Sequence, residues 1–228
     1  MTDESPLTPI AGLRAVLFDL DGTLADSEPL IAQAVSESAA AFGYELSSGD
    51  VIPRIGPPMP IMLQQMLPIG PDEAQTIYEE YQRRYNSRFV PQTQPLPGAV
   101  ELLASLRARD VAMAVVTNKN EFGGKVLVEA MGWTSLFRVV VGMDTAGAGK
   151  PAPDGILHAL GVVGAGPDET AFVGDSSADM GGGRAAKTRA VIGITGLRSA
   201  EEMLEGGGTH TADDLAGVAT LLSEARGP

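Results

Sequence analysis

Two aspartates, Asp19 and Asp21, follow an apolar run of four residues, and a glycine and a threonine come directly after them. The run, residues 15–18, is typical of a buried parallel strand. Residues at i and i+2 of an extended chain point to the same side, so both carboxylates can share one small volume. Like charges that close repel and raise each other's pKa. In isolation the pattern suits an acidic surface turn; a functional pair needs a cation or a proton between the carboxylates.

Three further polar clusters carry groups that complement these carboxylates. Two of them follow predicted buried strands over residues 111–116 and 170–173, and the third, at residues 150–151, lies between a predicted loop over residues 142–149 and a predicted helix. Catalytic groups in open α/β sheets gather beyond the carboxyl ends of the strands, so we expect all the clusters to meet at one edge. Taken one at a time, each cluster has an ordinary structural explanation. The cluster at residues 117–118 suits a strand-end turn, the one at 150–151 a solvated loop, and the one at 175–176 a helix N-cap. Their residues are Thr117, Asn118, Lys150, Asp175, Ser176 and Asp179.

Together these residue types favour phosphoryl transfer assisted by a metal ion. Carboxylate oxygens are hard ligands that suit Mg²⁺. Lys150 supplies a fixed positive charge, and Thr117 with Asn118 supplies hydrogen-bond donors for a phosphoryl oxygen. One carboxylate can attack phosphorus to give an aspartyl phosphate. A second carboxyl group can give a proton to the leaving oxygen and later take one from water.

Four stretches of the chain, residues 19–27, 116–118, 150–154 and 173–180, resemble in order and spacing the motifs of the haloacid dehalogenase superfamily. The resemblance spans roughly residues 15–222 and is closest to the phosphoglycolate-phosphatase-like hydrolases, which carry a helical cap after the first motif. It implies an Mg²⁺-dependent enzyme that hydrolyses a small phosphorylated metabolite.

The resemblance also assigns roles to individual residues. It makes Asp19 the nucleophile and Asp21 the general acid/base, with Thr117 binding the phosphoryl group and Lys150 neutralising it. It makes Asp19, Asp175 and the Asp21 carbonyl the metal ligands. It places Ser176 and Asp179 in the outer shell of the metal site. It makes Gly22, Thr23 and Asn118 contacts of the substrate.

Helix-like and strand-like segments alternate over most of the 228 residues, of which 44% are hydrophobic. This alternation favours an α/β fold, a Rossmann-like parallel sheet flanked by helices. No strand pattern occurs over residues 26–89, and residues 90–97 are typical of a proline-rich linker. We therefore predict a catalytic core of residues 1–25 and 96–228, with an all-helical cap over residues 26–95.

Helices are expected at 200–204 and 213–225, and three glycines at 181–183 predict that the helix holding Asp179 starts late or is loose.

Composition excludes several classes of function. A net charge of −13 and a pI of about 4.5 argue against a general nucleic-acid binder. The chain has no cysteine and two histidines, so thiolate catalysis, disulfides and a multi-histidine metal site are not expected. No apolar run approaches the roughly 20 residues that span a bilayer, and residues 1–10 lack the features of a signal peptide. We expect a cytoplasmic protein, a monomer or a homodimer.

Substrate selection is expected to fall to the cap, which can close over the site. Arg54 is the basic residue beside a glycine in an otherwise acidic insert, so it is a candidate partner for a carboxylate or second anionic group of the substrate. An exposed arginine on a proline-rich turn explains it equally well. Phosphoglycolate would suit Arg54, while sugar phosphates, nucleotides and pyrophosphate stay open.

Other reactions of the superfamily are less compatible with these residues. Asp21 argues against a dehalogenase, which lacks the second aspartate, and the insert has no lysine to serve as the Schiff base of a phosphonatase. Related sugar phosphomutases carry a histidine ten residues after the second aspartate, where this chain has Ile31. A phosphatase is the leading hypothesis; a sugar phosphomutase and a non-catalytic phosphate-binding regulatory protein are the alternatives.

Overall fold

A parallel sheet of six strands lies at the centre of the computed structural model, which describes residues 7–227. The sheet order is β5-β4-β1-β6-β7-β8, with every neighbouring pair parallel. Strands β2 and β3 form a separate antiparallel pair. The predicted α/β class is confirmed. The strands within these residues are β1 (Ala15–Phe18), β2 (Ala25–Asp26), β3 (Gln94–Pro95), β4 (Ala112–Val116), β5 (Val140–Val141), β6 (Thr170–Gly174), β7 (Ala190–Ile194) and β8 (His210–Ala212).

Strand β1 lies between β4 and β6, and its register brings the strand ends together. Phe18 pairs with Val115 on one side and with Val173 on the other. The polar residues that follow the three strands therefore emerge at the same edge of the sheet. All four residues of β1 are fully buried, which is expected when helices cover both faces of a parallel sheet.

The two faces of the sheet have separate apolar cores. Leu17 packs with Phe172 and with Ile156 of α7 on one face, whereas Val16 and Phe18 belong to the larger core on the other. Helices α5, α6 and α10 contribute leucines and valines to that larger core. The α-helices of the described chain are α1 (Glu28–Ala41), α2 (Ser48–Val51), α3 (Met59–Met66), α4 (Pro71–Arg84), α5 (Ala99–Ala108), α6 (Glu121–Ala130), α7 (Asp154–Val163), α8 (Ser177–Ala185), α9 (Ala200–Glu205) and α10 (Leu215–Leu221).

Helices α1 to α4 form the insert between β2 and β3. Helix α4 starts at Pro71, carries acidic residues in its first turn and arginines in its last, as the helix dipole favours. It buries Ile77, Tyr78 and Tyr81 on one side and continues into a π-helical turn, Tyr85–Phe89. The helical insert agrees with the expected cap, while its boundaries at residues 26 and 95 stay a prediction.

The connections between insert and sheet differ from the predicted linker. Residues Val90–Gln92 form a short 3₁₀ turn, and Gln94–Pro95 pairs with Ala25–Asp26. The two crossings between core and insert are therefore tied to each other by backbone hydrogen bonds. A two-residue strand is too short to give an alternating pattern in the sequence, which is why the linker prediction missed it.

The chain after β7 also differs from the prediction. His210–Ala212 forms the edge strand β8, which was not predicted, and the last helix is shorter than expected, Leu215–Leu221. Residues 1–6, which include most of the segment assessed for a signal peptide, lie outside the described residues. Among the described residues, none of the helices is both long enough and apolar enough to span a membrane.

The glycine run does not delay helix α8, so the predicted late start is wrong. The helix begins at Ser177, directly after its N-cap Ser176. The glycines face tightly packed neighbours: a Cβ on Gly183 would lie 2.8 Å from Val191 Cγ2, and one on Gly182 would lie 3.3 Å from Lys150 Cγ. Their low helix propensity is offset because they let α8 approach β7 and Lys150 closely.

The substitution Gly183→Ala tests this packing. The added methyl group would clash with a β-branched residue inside β7, so we expect the free energy of unfolding to fall by about 1–3 kcal/mol. Gly161→Ala is the matched control, because it lies in α7 with no atom outside its chain neighbours and its own helix backbone within 4 Å of the added Cβ; it should stabilise the protein by about 0.5–1 kcal/mol. Urea-unfolding midpoints measure both. Equal effects at the two positions would contradict the explanation.

Candidate active site

Lys150 connects two of the carboxylates at the edge of the sheet. Its Nζ lies 2.9 Å from Asp19 Oδ1 and 2.6 Å from Asp179 Oδ1, and it also donates a hydrogen bond to the Val116 carbonyl. Burial opposes the charge of Lys150, but Asp179 and Asp19 outweigh it and raise its pKa. The lysine is therefore a permanent cation beneath Asp19.

Asp179 serves both this lysine and the start of α8. Its Oδ2 accepts hydrogen bonds from the backbone N–H and the hydroxyl of Ser176, at 2.9 and 2.5 Å. The Ser176 hydroxyl in turn accepts from the Asp179 N–H, which completes a capping box. Both oxygens of Asp179 therefore contact donors of the protein, and through one of them Asp179 holds the ammonium group of Lys150 in place. The outer-shell positions expected for Ser176 and Asp179 stay a prediction.

Asp175 lies against the glycine turn after β1. Thr23 Oγ1 donates to Asp175 Oδ1 at 2.8 Å. Gly22 has φ +75°, and a Cβ there would lie 2.7 Å from Asp175 Oδ2, so this position requires glycine both for conformation and for space. In this structure Gly22 and Thr23 therefore position Asp175; the substrate contacts expected of them stay a prediction.

Carboxylate oxygens of Asp19, Asp175 and Asp179 all lie within 4.8 Å of one another. Burial raises the pKa of Asp19 to about 7, with Asp179 adding to this and Lys150 opposing it. Burial, together with the nearby Asp179 and Asp19, raises the pKa of Asp175 well above its usual range. Crowded carboxylates with unfavourable ionisation are an oxygen-donor set that suits a hard divalent cation. The residues therefore fit Mg²⁺, with Asp179 turned toward Lys150.

Asp21 has a partner that the sequence analysis missed. Its Oδ2 lies 3.0 Å from Lys119 Nζ, and its Oδ1 accepts a hydrogen bond from Ser27 at 2.7 Å. Lys119 Nζ also lies 4.4 Å from the centre of the Tyr85 ring. Burial would lower the pKa of Lys119, but Asp21 with Tyr81 and Tyr85 raises it well above its usual value. The signal in the sequence was that Lys119 directly follows Thr117 and Asn118, two predicted site residues.

Thr117 and Asn118 have different contacts. The Thr117 oxygen accepts from the Lys119 backbone N–H at 3.1 Å, which leaves the hydroxyl proton free for a ligand oxygen. The Asn118 amide donates to the Gly56 carbonyl of the insert at 2.7 Å and to the Lys150 carbonyl at 2.9 Å. Asn118 thus links the insert to the core; its expected role as a substrate contact stays a prediction.

The arginine that bridges the core and the insert loop beside the site is Arg198, not Arg54. Arg198 Nη1 donates to the Asp175 carbonyl at 3.1 Å, and Nη2 donates to the Ile55 carbonyl at 3.2 Å. Arg54 is exposed, and its Nη1 donates to the Asp50 carbonyl at 2.6 Å. Arg54 is not among the residues that line the central cavity; a substrate contact through it stays a prediction.

A cavity of about 60 Å³ lies between the aspartates and the insert. From the core it is lined by Asp19, Asp21, Thr117 and Asp175, with Lys119 as the cation among its lining residues. The insert covers the opposite side with apolar and aromatic side chains: Ile31, Ile55, Pro57, Met59, Tyr78 and Tyr81. The arrangement places the carboxylates of Asp19, Asp21 and Asp175 and the hydroxyl of Thr117 around a space for a small ligand.

The model of the haloacid dehalogenase-like hydrolases matches residues 16–192. The chain belongs to this family. A phosphoglycolate phosphatase of Aquifex aeolicus is 32% identical to it over 186 residues, 81% of this chain and 86% of the relative. The pyrophosphatase PpaX of Oceanobacillus iheyensis is 23% identical over 212 residues, covering 93% and 98% of the two chains.

A solved hydrolase from Pseudomonas syringae has the same fold, with a TM-score of 0.81 and 27% identity over 96% of this chain and 99% of the other. The family match confirms the predicted haloacid dehalogenase resemblance. The relatives also confirm the predicted class of enzyme, a phosphatase of this hydrolase family, similar to phosphoglycolate phosphatases.

The pKa of Asp19 predicts how pH and Mg²⁺ affect stability. Burial raises the pKa of Asp19 in the folded protein to about 7 from its ordinary value of 3.8. The folded state therefore binds more protons between these values, and its stability without metal falls as pH rises through this window. Mg²⁺ must displace that proton, so it should raise the Tm more at about pH 8 than at about pH 5.

Thermal unfolding in EDTA and in Mg²⁺ at both pH values measures this effect. Asp19→Asn, which cannot ionise, is the control and should show a smaller difference between the two pH values. A larger Mg²⁺ stabilisation at the lower pH would contradict the expectation.

Arg198→Ala tests the bridge between insert and core. Loss of two hydrogen bonds to carbonyls should speed hydrogen exchange in the segment around Ile55 and Gly56 and raise the KM about threefold to tenfold. Arg107→Ala is the control, because that guanidinium donates to Ser135, away from the insert. Unchanged exchange in Arg198→Ala would show that the bridge does not hold the loop.

Proposed function

We propose that the protein is an Mg²⁺-dependent phosphomonoester hydrolase that works through an aspartyl phosphate on Asp19. One observation carries this most directly: the Asp19 carboxylate lies 2.9 Å from a buried lysine, beside a second acidic residue, at the end of the central strand. The substrate is a small phosphorylated metabolite. Phosphoglycolate and pyrophosphate are its first candidates, since relatives carry those names.

In the first half of the reaction a carboxylate oxygen of Asp19 attacks phosphorus, and the bond to the leaving oxygen breaks. In the structure both oxygens of Asp21 accept from neighbouring groups, Lys119 and Ser27, so Asp21 must take up a proton together with the substrate, and it then gives this proton to the leaving oxygen. Thr117 donates its hydroxyl proton to a phosphoryl oxygen, and Lys150 offsets the negative charge around Asp19. Mg²⁺, held by Asp19, Asp175 and the Asp21 carbonyl, would neutralise charge on the phosphoryl oxygens.

In the second half Asp21 takes a proton from water, and the resulting hydroxide attacks phosphorus. The bond between phosphorus and the Asp19 oxygen breaks, so phosphate is released and both aspartates return to their starting states. Asp21 is held for this work by Ser27 and Lys119. The insert covers the cavity with apolar side chains, which limits access of bulk water.

A sugar phosphomutase is the less favoured alternative. Ile31, the position of the expected mutase histidine, lines the cavity with an apolar side chain. Neither His158 nor His210 is among the lining residues. A non-catalytic phosphate-binding protein is disfavoured because all four motifs are present: Lys150 contacts Asp19 and Asp179, and carboxylate oxygens of Asp19, Asp175 and Asp179 lie within 4.8 Å of one another.

Phosphate release from a panel of small phosphomonoesters and pyrophosphate tests the proposal. We expect turnover with Mg²⁺, loss of turnover in EDTA and recovery when Mg²⁺ is restored. Asp19→Asn should lower kcat by at least about 10³-fold, since it removes the nucleophile. Asp168→Asn, an exposed acidic residue, is the control and should leave kcat unchanged.

Two results would contradict the proposal: release of phosphate from none of the compounds, or full activity in Asp19→Asn. Conversion of a sugar 1-phosphate into its isomer without release of phosphate would instead favour the phosphomutase.

A further inference from the structure

Lys119 is a buried cation that faces the substrate cavity. It lies three residues after β4, and 8% of its side chain is exposed. Its ammonium group is held by the Asp21 carboxylate on one side and by the Tyr85 ring of the insert on the other, at 3.0 and 4.4 Å. Burying an ammonium group is costly unless charges and hydrogen bonds compensate for it, so a role beyond simple packing is expected.

The other cations near the site are committed to protein partners. Lys150 lies behind Asp19, with Asp179 and the Val116 carbonyl as its further contacts. Arg198 donates to two backbone carbonyls. The arginines on and after helix α4 pair with glutamates, as Arg83, Arg84 and Arg88 do with Glu80 and Glu37.

Lys119 still has a donor to offer a ligand. An ammonium group has three N–H donors; Asp21 takes one, and the electron-rich face of Tyr85 attracts another. The third N–H is left for a ligand, and Lys119 is among the residues that line the cavity. The insert side of the cavity adds mainly apolar side chains and tyrosine rings.

The position of Lys119 relative to the reaction fixes which part of a substrate it can meet. Asp21, the proposed acid, must lie at the leaving oxygen, and Lys119 Nζ is 3.0 Å from the Asp21 carboxylate. A negative charge one or two atoms beyond the leaving oxygen would therefore lie next to Lys119. The cavity of about 60 Å³ favours a leaving group of this short length.

We propose that Lys119 is a specificity-determining residue that binds an anionic group on the leaving side of the substrate. The enzyme then prefers phosphate compounds whose leaving group itself carries a carboxylate or phosphoryl charge over those whose leaving group is a neutral alcohol. This inference rests on the proposed phosphatase function. It assigns to Lys119, a residue of the core, the binding of the substrate's second anionic group, which was expected of Arg54 in the insert.

A pair of matched substrates isolates this contact. 2-Phosphoglycolate and 2-hydroxyethyl phosphate differ in that a hydroxymethyl group replaces the carboxylate, and pyrophosphate supplies the phosphoryl arm. We expect the wild type to prefer the two compounds with anionic leaving groups. Lys119→Met should lower kcat/KM for the preferred compound about 10- to 100-fold, chiefly through KM, and change that for 2-hydroxyethyl phosphate less than about threefold.

The controls separate recognition from folding. Lys119→Met leaves Asp21 without its counter-ion, so part of the protein can misfold; the ratio of the two kcat/KM values within one variant does not depend on the folded fraction. Lys119→Arg keeps the charge and should keep most of the preference. Lys125→Met, at an exposed position of α6 where Lys125 pairs with Glu121, should behave as the wild type.

Equal losses on both substrates in Lys119→Met would overturn the proposal, because they would show that Lys119 only positions Asp21. A wild-type preference for 2-hydroxyethyl phosphate would also overturn it, while leaving the phosphatase function intact. Failure to release phosphate from any compound would overturn the phosphatase function itself, and this inference with it.

Discussion

Three carboxylates crowded at one edge of the sheet are the constraint on which the site depends. Asp19, Asp175 and Asp179 approach within 4.8 Å, and two of them are buried. Such a cluster is unstable unless cations or protons offset its charge. Lys150 offsets part of it, but burial and the neighbouring carboxylates still raise the pKa of Asp19 and of Asp175. The unbalanced charge is what favours a divalent cation.

The local structure around the cluster follows from this constraint. Gly22 has no Cβ where Asp175 approaches the chain, and Gly182 lets α8 pass close to Lys150. Ser176 and Asp179 cap α8 and at the same time hold one side of the lysine. The insert is joined to the same residues, because Asn118 and Arg198 each donate to one carbonyl of the insert and one of the core. Closure of the insert and the positions of Lys150 and Asp175 are therefore linked.

Local patterns explain what was predictable from the sequence. The strands that carry Asp19 and Asp175 are short apolar runs followed by polar residues, and the motifs retain their order and spacing, so the fold and the acidic cluster could be predicted. The contacts of Lys119 and Arg198 could not be predicted, since their partners Asp21 and Ile55 lie far away in the sequence; only the place of Lys119 directly after Thr117 and Asn118 pointed to the site. The glycines of α8 misled the prediction because helix propensity is a local quantity, whereas Val191 and Lys150 pack against them through the tertiary fold.

The most direct test of the central claim is to trap the covalent intermediate on Asp19. Borohydride reduces an acyl phosphate to an alcohol, so protein quenched during turnover and digested should contain Asp19 converted into homoserine. We expect this conversion at Asp19, dependent on both substrate and Mg²⁺, with Asp21 and Asp175 unmodified. Turnover without any modification of Asp19, or reduction at a different carboxylate, would contradict it.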